Sequence, residues 1–101
     1  MKIVVVHHFV LPGQHEAAHR RIGEVTRRMG TRDGLMFRHV GARAGMPDCL
    51  TSVTGWRSES DCAGWEAYRD SLPPIGGDNP YSKVEELAVI VPSSDEKGAA
   101  G

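Results

Sequence analysis

Residues 2–10, KIVVVHHFV, are apolar and β-branched almost throughout and do not alternate; after Lys2 only His7 and His8 interrupt them. A strand covered on both faces reads this way, because neither face has to meet water. Leu11-Pro12-Gly13 then signals a turn. From residue 14 to residue 29 the period changes. Ala18, Ile22, Val25 and Met29 form one stripe while Arg20, Arg21, Glu24, Arg27 and Arg28 take other positions, which predicts an amphipathic helix. Gly30 stands where a left-handed residue would close its last turn, and Arg27 and Arg28 lie near the negative end of its dipole.

Residues 31–34 form a turn, and 35–42 alternate in strand fashion, with Leu35, Phe37 and His39 on one side and Met36, Arg38 and Val40 on the other. Residues 45–48 read as a hairpin connection into a third strand at 49–56. Ser58 is a good N-cap, with Asp61 at the capping-box position, for a second helix running to about residue 71. Its inward stripe is Cys62, Trp65, Tyr68 or Arg69, and Leu72, before Pro73-Pro74 stops it. A Gly- and Pro-rich loop at 74–82 suits a binding edge, and a last strand follows at about 83–91. The polar, small-residue tail at 92–101 cannot bury enough apolar surface to stay ordered.

The order β-α-β-β-α-β predicts an α+β, ferredoxin-like domain over residues 1–91: a four-stranded antiparallel sheet, first and third strands central, with two helices on one face. The other face is then bare although the first and fourth strands are apolar on both sides, so a homodimer packed through that sheet face is expected. A chain of 101 residues with 40 % hydrophobic and 25 % charged residues is one ordinary globular domain. A net charge of −1 and a pI near 6.5 give no general attraction to nucleic acid or acidic lipid. No apolar run approaches a membrane span or a signal peptide, so a cytoplasmic protein is expected, with no nucleic-acid or membrane partner. Cys49 and Cys62 belong to no CxxC pair or zinc-spaced cluster and read as small apolar side chains. His15 and His19 lie one helical turn apart without an acidic companion, so no metal site is expected.

The candidate chemistry centres on residues 49–65. Period two puts Leu50, Ser52, Thr54 and Trp56 on one strand face, and Trp65 follows on the next helix. An aromatic wall with a few hydroxyls suits a planar phenolic ligand, although both tryptophans also read as core residues. Tyr68 and His39 complete the candidate substrate-binding set with Ser52, Thr54 and Trp65.

The opening strand with Pro12-Gly13, the amphipathic helix, Gly34-Leu35-Met36, and Trp56 followed by Ser58-Glu59 together resemble the antibiotic biosynthesis monooxygenase family over about residues 2–91. The resemblance implies a dimeric α+β barrel and a pocket between sheet and helices. Family members include cofactor-independent oxygenases of aromatic polyketides, quinol monooxygenases and haem-degrading enzymes. The polyketide oxygenases line the pocket with Asn-x-x-x-Trp and a later Tyr; here the Trp is Trp56, the Asn position is Ser52 and the Tyr position is Cys62. The haem degraders use an Asn, a Trp and a His; the matching positions are His7, Trp65 and Ile75, and the missing His argues against haem degradation.

The resemblance implies a monooxygenase without cofactor, acting with O₂ on a small phenolic, anthrone-like or quinol molecule. In this reading His7 is the catalytic base, and Trp56 with Ser52 steadies the oxyanion. The reading requires His7 and Trp56 to share one cavity. A non-oxygenating metabolite-binding protein, or an isomerase or cyclase on the same scaffold, is the alternative.

Overall fold

The computed structural model describes residues 1–92; the tail expected to be disordered falls, from residue 93 on, outside the described residues. The elements are β1 (Lys2–Val10), α1 (His15–Met29), β2 (Leu35–Arg43), β3 (Met46–Trp56), α2 (Glu59–Ser71) and β4 (Tyr81–Ile90). The strands form one antiparallel sheet in the order β2-β3-β1-β4, the split βαβ arrangement. The pairing pattern of the sequence locates every element, with differences at the ends. Met46-Pro47-Asp48, expected in the connection, extends β3, leaving only Ala44 and Gly45 as the turn between β2 and β3.

Local chemistry explains the helix ends. Ser58 caps α2, its Oγ accepting from the Asp61 amide at 3.1 Å and its hydroxyl donating to Asp61 Oδ2 at 2.8 Å. The acid thus bonds the cap hydroxyl, where a capping box would use the Ser58 amide. Gly30 closes α1 with φ 56° and ψ −131°, a positive-φ conformation different from the expected left-handed helical one.

Register decides what each strand face meets. On β1 and β3, Val4 pairs with Thr54, Val6 with Ser52 and His8 with Leu50, and this set faces the helices. Their neighbours His7 and Thr51, paired with each other, therefore face the opposite side. On β2 an irregularity between Leu35 and Phe37 breaks the alternation expected from sequence. Leu35 packs toward Trp56 with the helix-facing set, while Phe37 lies over Gly55 on the other face.

Two buried clusters fill the space between helices and sheet. Val10, Ala18, Ile22 and Leu50 form one; Met29, Trp56, Cys62 and Trp65 form the other, flanked by Val4, Val25 and Leu35. An indole that buries about 200 Å² contributes about 5 kcal/mol as an upper figure, so the second cluster anchors α2 to the sheet. The bare face carries Ile3, Val5 and Phe9, with Leu87 58 % and Val89 45 % exposed on β4. Among the described residues no helix is long and apolar enough to cross a membrane.

Candidate active site

Between the two clusters the helix-facing side of the sheet is not filled. A cavity of about 450 Å³ lies there, within the size range of small-molecule sites. Its sheet wall is Val4, Val6 and His8 of β1, Arg38 of β2, and Ser52, Thr54 and Trp56 of β3. α1 gives Ile22, Val25 and Met29, α2 gives Cys62, Trp65 and Glu66, and Asn79 and Tyr81 close the β4 side.

Ser52, Thr54, Trp56 and Trp65, singled out from sequence, therefore share one space. The two indoles stack with centroids 6.5 Å apart and an 18° interplanar angle. Trp56 is only 1 % exposed, and its indole N–H has no protein acceptor in the described hydrogen bonds. Since no fully enclosed polar side-chain atom among the described residues lacks a partner, that N–H keeps some exposure, and Trp56 lines the cavity. The Ser52 hydroxyl is in the same position.

Three of the other sequence candidates fall elsewhere. His7 is on the opposite sheet face from Trp56, its Nδ1 2.7 Å from Thr51 Oγ1, so the assignment of His7 as base in that cavity fails. The reason is phase: Trp56, Ser52 and Thr54 pair with even-numbered residues of β1, and His7 is odd. His39 shares the bare face, stacked on Phe37 at 5.7 Å. Tyr68 stays 42 % exposed on α2, beside Trp65 at 6.3 Å and under the Arg32 guanidinium at 4.8 Å. Its neighbour Arg69 lines the cavity instead.

The imidazole that enters is His8. Its Nδ1 lies 3.1 Å from the Leu50 carbonyl oxygen, which can only accept, so Nδ1 carries the proton and Nε2 the lone pair. Burial lowers its pKa; the Leu50 hydrogen bond opposes that, and the charges of Arg38 and His7 add to it. His8 is therefore neutral near pH 7 and basic at Nε2. Tyr81 packs against it with centroids 4.8 Å apart, and the Tyr81 hydroxyl donates to the Ala18 carbonyl at 3.4 Å. Burial raises the Tyr81 pKa, with Arg21 opposing, so it stays a phenol.

Arg38 supplies the positive charge. Its guanidinium donates to Thr54 Oγ1 at 2.8 Å and Thr26 Oγ1 at 2.9 Å, fixing it between β3 and α1. Desolvation lowers its pKa, yet an arginine remains a cation. Cys62 donates to Glu66 Oε1 at 3.5 Å, and burial is the main cause that raises its pKa. It is a thiol, not a nucleophile.

Sequence reasoning left open which of the adjacent His7 and His8 faces the pocket and favoured His7; it missed Arg38 and Tyr81. Arg38 was discoverable, since an arginine inside a strand, between Phe37 and His39, has to be partnered where it is buried. Elsewhere, His15 Nε2 bonds Asp48 Oδ1 at 2.7 Å, away from His19, and no cluster of three metal-ligating side chains occurs among the described residues. Ile75 sits in a smaller hollow beyond Trp65.

No protein-family model and no curated protein sequence matches the chain. Solved structures do. The haem degrader MhuD from Mycobacterium tuberculosis, with two haems in its active site, has a TM-score of 0.71 at 11 % identity over 93 % of this chain and 100 % of that one. A MhuD variant holding two manganese protoporphyrin IX molecules per active site has a TM-score of 0.75 at 12 % identity, covering 90 % and 94 %. A structure named antibiotic biosynthesis monooxygenase has a TM-score of 0.72 at 10 % identity, covering 92 % and 100 %. The chain shares their ferredoxin-like fold, and at these identities the likeness is one of fold.

Proposed function

We propose that the protein is a cofactor-independent monooxygenase, with His8 as the base and a small, electron-rich phenolic, anthrone-like or quinol molecule as substrate. The observation that carries this reading is the neutral imidazole with a defined tautomer, its Nε2 free beside the Arg38 cation in a cavity walled by two indoles. Such a pair takes a proton from the substrate and steadies the anion that results. That anion passes one electron to O₂, and the two radicals combine into a peroxide. His8 returns the proton as the peroxide loses water, so that for a methylene substrate R₂CH₂ + O₂ gives R₂C=O + H₂O. The Trp56 N–H and the Ser52 hydroxyl are the donors available to the developing oxyanion. The likeness in fold to an antibiotic biosynthesis monooxygenase supports the reaction class. A homodimer through the bare sheet face, its apolar residues covered by a second copy, belongs to the same reading.

The test is oxygen uptake with a panel of anthrones and quinols. Uptake of one O₂ per substrate, abolished in His8→Gln, is expected. Ligand binding with no uptake by any member refutes the oxygenase and leaves a metabolite-binding protein.

A second reading, haem as substrate, has one specific support: His8 Nε2 is an unprotonated imidazole nitrogen in the cavity of a fold shared with a haem degrader. Against it stands Ile75, in the place of the family's ligating His. A haem titration followed in the Soret band separates the two, since a His8-dependent shift favours haem.

A further inference from the structure

The cavity does not end at Trp65. A second hollow of about 260 Å³ lies between the C-terminal halves of α1 and α2 and the segment after α2, with Leu72, Pro73 and Ile75 in its wall. Arg21, Val25, Trp65 and Arg69 line both spaces, so the two adjoin between the helices.

The arginines at this joint differ from their helix neighbours Arg20 and Arg28. Arg20 pairs with Glu16 at 3.4 Å, and Arg28 is taken up by Glu24 at 3.2 Å and the Pro73 carbonyl at 2.7 Å. Arg21 is partly buried, yet no described hydrogen bond or ion pair uses its guanidinium. Arg69 keeps only its Nε on the adjacent Asp70, at 3.2 Å, so both terminal nitrogens are left over. Asp70 also lines the smaller hollow and offsets part of the Arg69 charge, but nothing offsets that of Arg21 among the described residues, so the joint keeps an excess of positive charge that favours an added anion. The guanidinium fork matches a carboxylate in particular, two parallel N–H donors to two oxygens.

We propose that this joint is an anion subsite and that the substrate is an aromatic carboxylic acid. Its ring occupies the cavity walled by Trp56 and Trp65, and its carboxylate lies between Arg21 and Arg69. The inference rests on the reading of the cavity as an aromatic site.

Trp56 and Trp65 are the only tryptophans of the chain, so quenching of intrinsic fluorescence reports occupancy. Rhein, a dihydroxyanthraquinone bearing a carboxylate, is compared with chrysazin, the same phenolic ring system without it. Rhein is expected to bind roughly tenfold more tightly at low salt, the worth of one charge-assisted pair, with the gap narrowing as salt is added. Arg21→Gln with Arg69→Gln removes the preference, whereas Arg20→Gln, on the same helix but paired with Glu16, keeps it. If circular dichroism shows the double variant unfolded, Arg21→Gln alone carries the same expectation. Equal binding of the two rings by the unmodified protein, or a preference that survives the arginine changes, overturns the subsite and leaves the aromatic cavity standing. Binding of neither ring overturns both.

Discussion

Gly34→Ala should destabilise the protein far more than Gly13→Ala, although both glycines have positive φ, 90° and 77°. An alanine forced into the left-handed region costs about 1–2 kcal/mol, partly offset by about 0.4–1 kcal/mol from the stiffer unfolded chain. At Gly13 nothing lies within 4 Å of the added Cβ, so that balance of about 1 kcal/mol or less is the whole effect. At Gly34 the Cβ would stand 2.3 Å from Asp61 Cγ and 2.5 Å from Asp61 Cβ, contacts no side chain tolerates. Asp61 cannot swing aside freely, because its carboxylate accepts from Ser58 Oγ at 2.8 Å and from Arg57 Nε at 3.1 Å. The turn cannot retreat either, since the Gly34 carbonyl accepts from the Arg57 amide at 2.8 Å. Relief therefore comes from pushing back the first turn of α2, which breaks the Ser58 cap at about 1 kcal/mol and leaves overpacking of at least about 1 kcal/mol. The total is about 3 kcal/mol. In urea titrations with a slope of about 1–3 kcal/mol per molar, the midpoint falls by about 1–3 M for Gly34→Ala and by no more than about a third of that for Gly13→Ala. Equal midpoint shifts in the two variants would refute the argument, because they would leave no energetic trace of the Asp61 contact.

Two further outcomes follow from the site. Burial holds the pKa of His8 below its ordinary value of 6.5, so on acidification the unfolded chain takes up that proton before the folded one. Its contribution is thus fully present above 6.5 and is lost as pH falls through the window below it; kcat/KM should fall on the same side. Urea midpoints measured at a series of pH values should show this slope flattened in His8→Gln, and an unchanged slope sinks the assignment. Burial likewise raises the Cys62 pKa, so iodoacetamide should label that thiol far more slowly in the folded protein than in urea, as read by peptide mass mapping. Native labelling as fast as in urea would show that the thiol is not enclosed as described.

The elements were legible because each has its own period and its own stop: the stripe Ala18, Ile22, Val25 and Met29, the Ser58 cap, and Pro73-Pro74 after α2. Half of the site was legible for the same reason, since Ser52, Thr54 and Trp56 share a face by alternation alone. The phase of β1 was not. Ile3, Val5 and Phe9 on one side and Val4, Val6 and Val10 on the other are equally apolar, so a period of two carries no information about which set meets the helices. With adjacent histidines, that missing phase becomes a choice between His7 and His8. On β2 the irregularity after Leu35 shifted the alternation by one, and no glycine or proline marks it. The resemblance to haem degraders, matched position by position, pointed to His7; cross-strand register decides for His8.

The position of the cavity is itself an argument that the protein binds something. A chain of 101 residues has little core to spare, and voids forfeit dispersion contacts that a small domain needs. Yet at the centre of the sheet, where packing would be most stabilising, β3 presents Ser52 and Thr54, buried to 3 % and 4 % exposure, in place of branched aliphatics. The apolar residues are divided into two clusters on either side of that space. A neutral histidine and a desolvated arginine then line it, and each is costly to hold there without a task. The buried hydroxyls at the centre and the desolvated base and cation beside them all reduce stability relative to a filled core. The fold alone demands none of them, whereas the ionisable aromatic ligand proposed above would use each one.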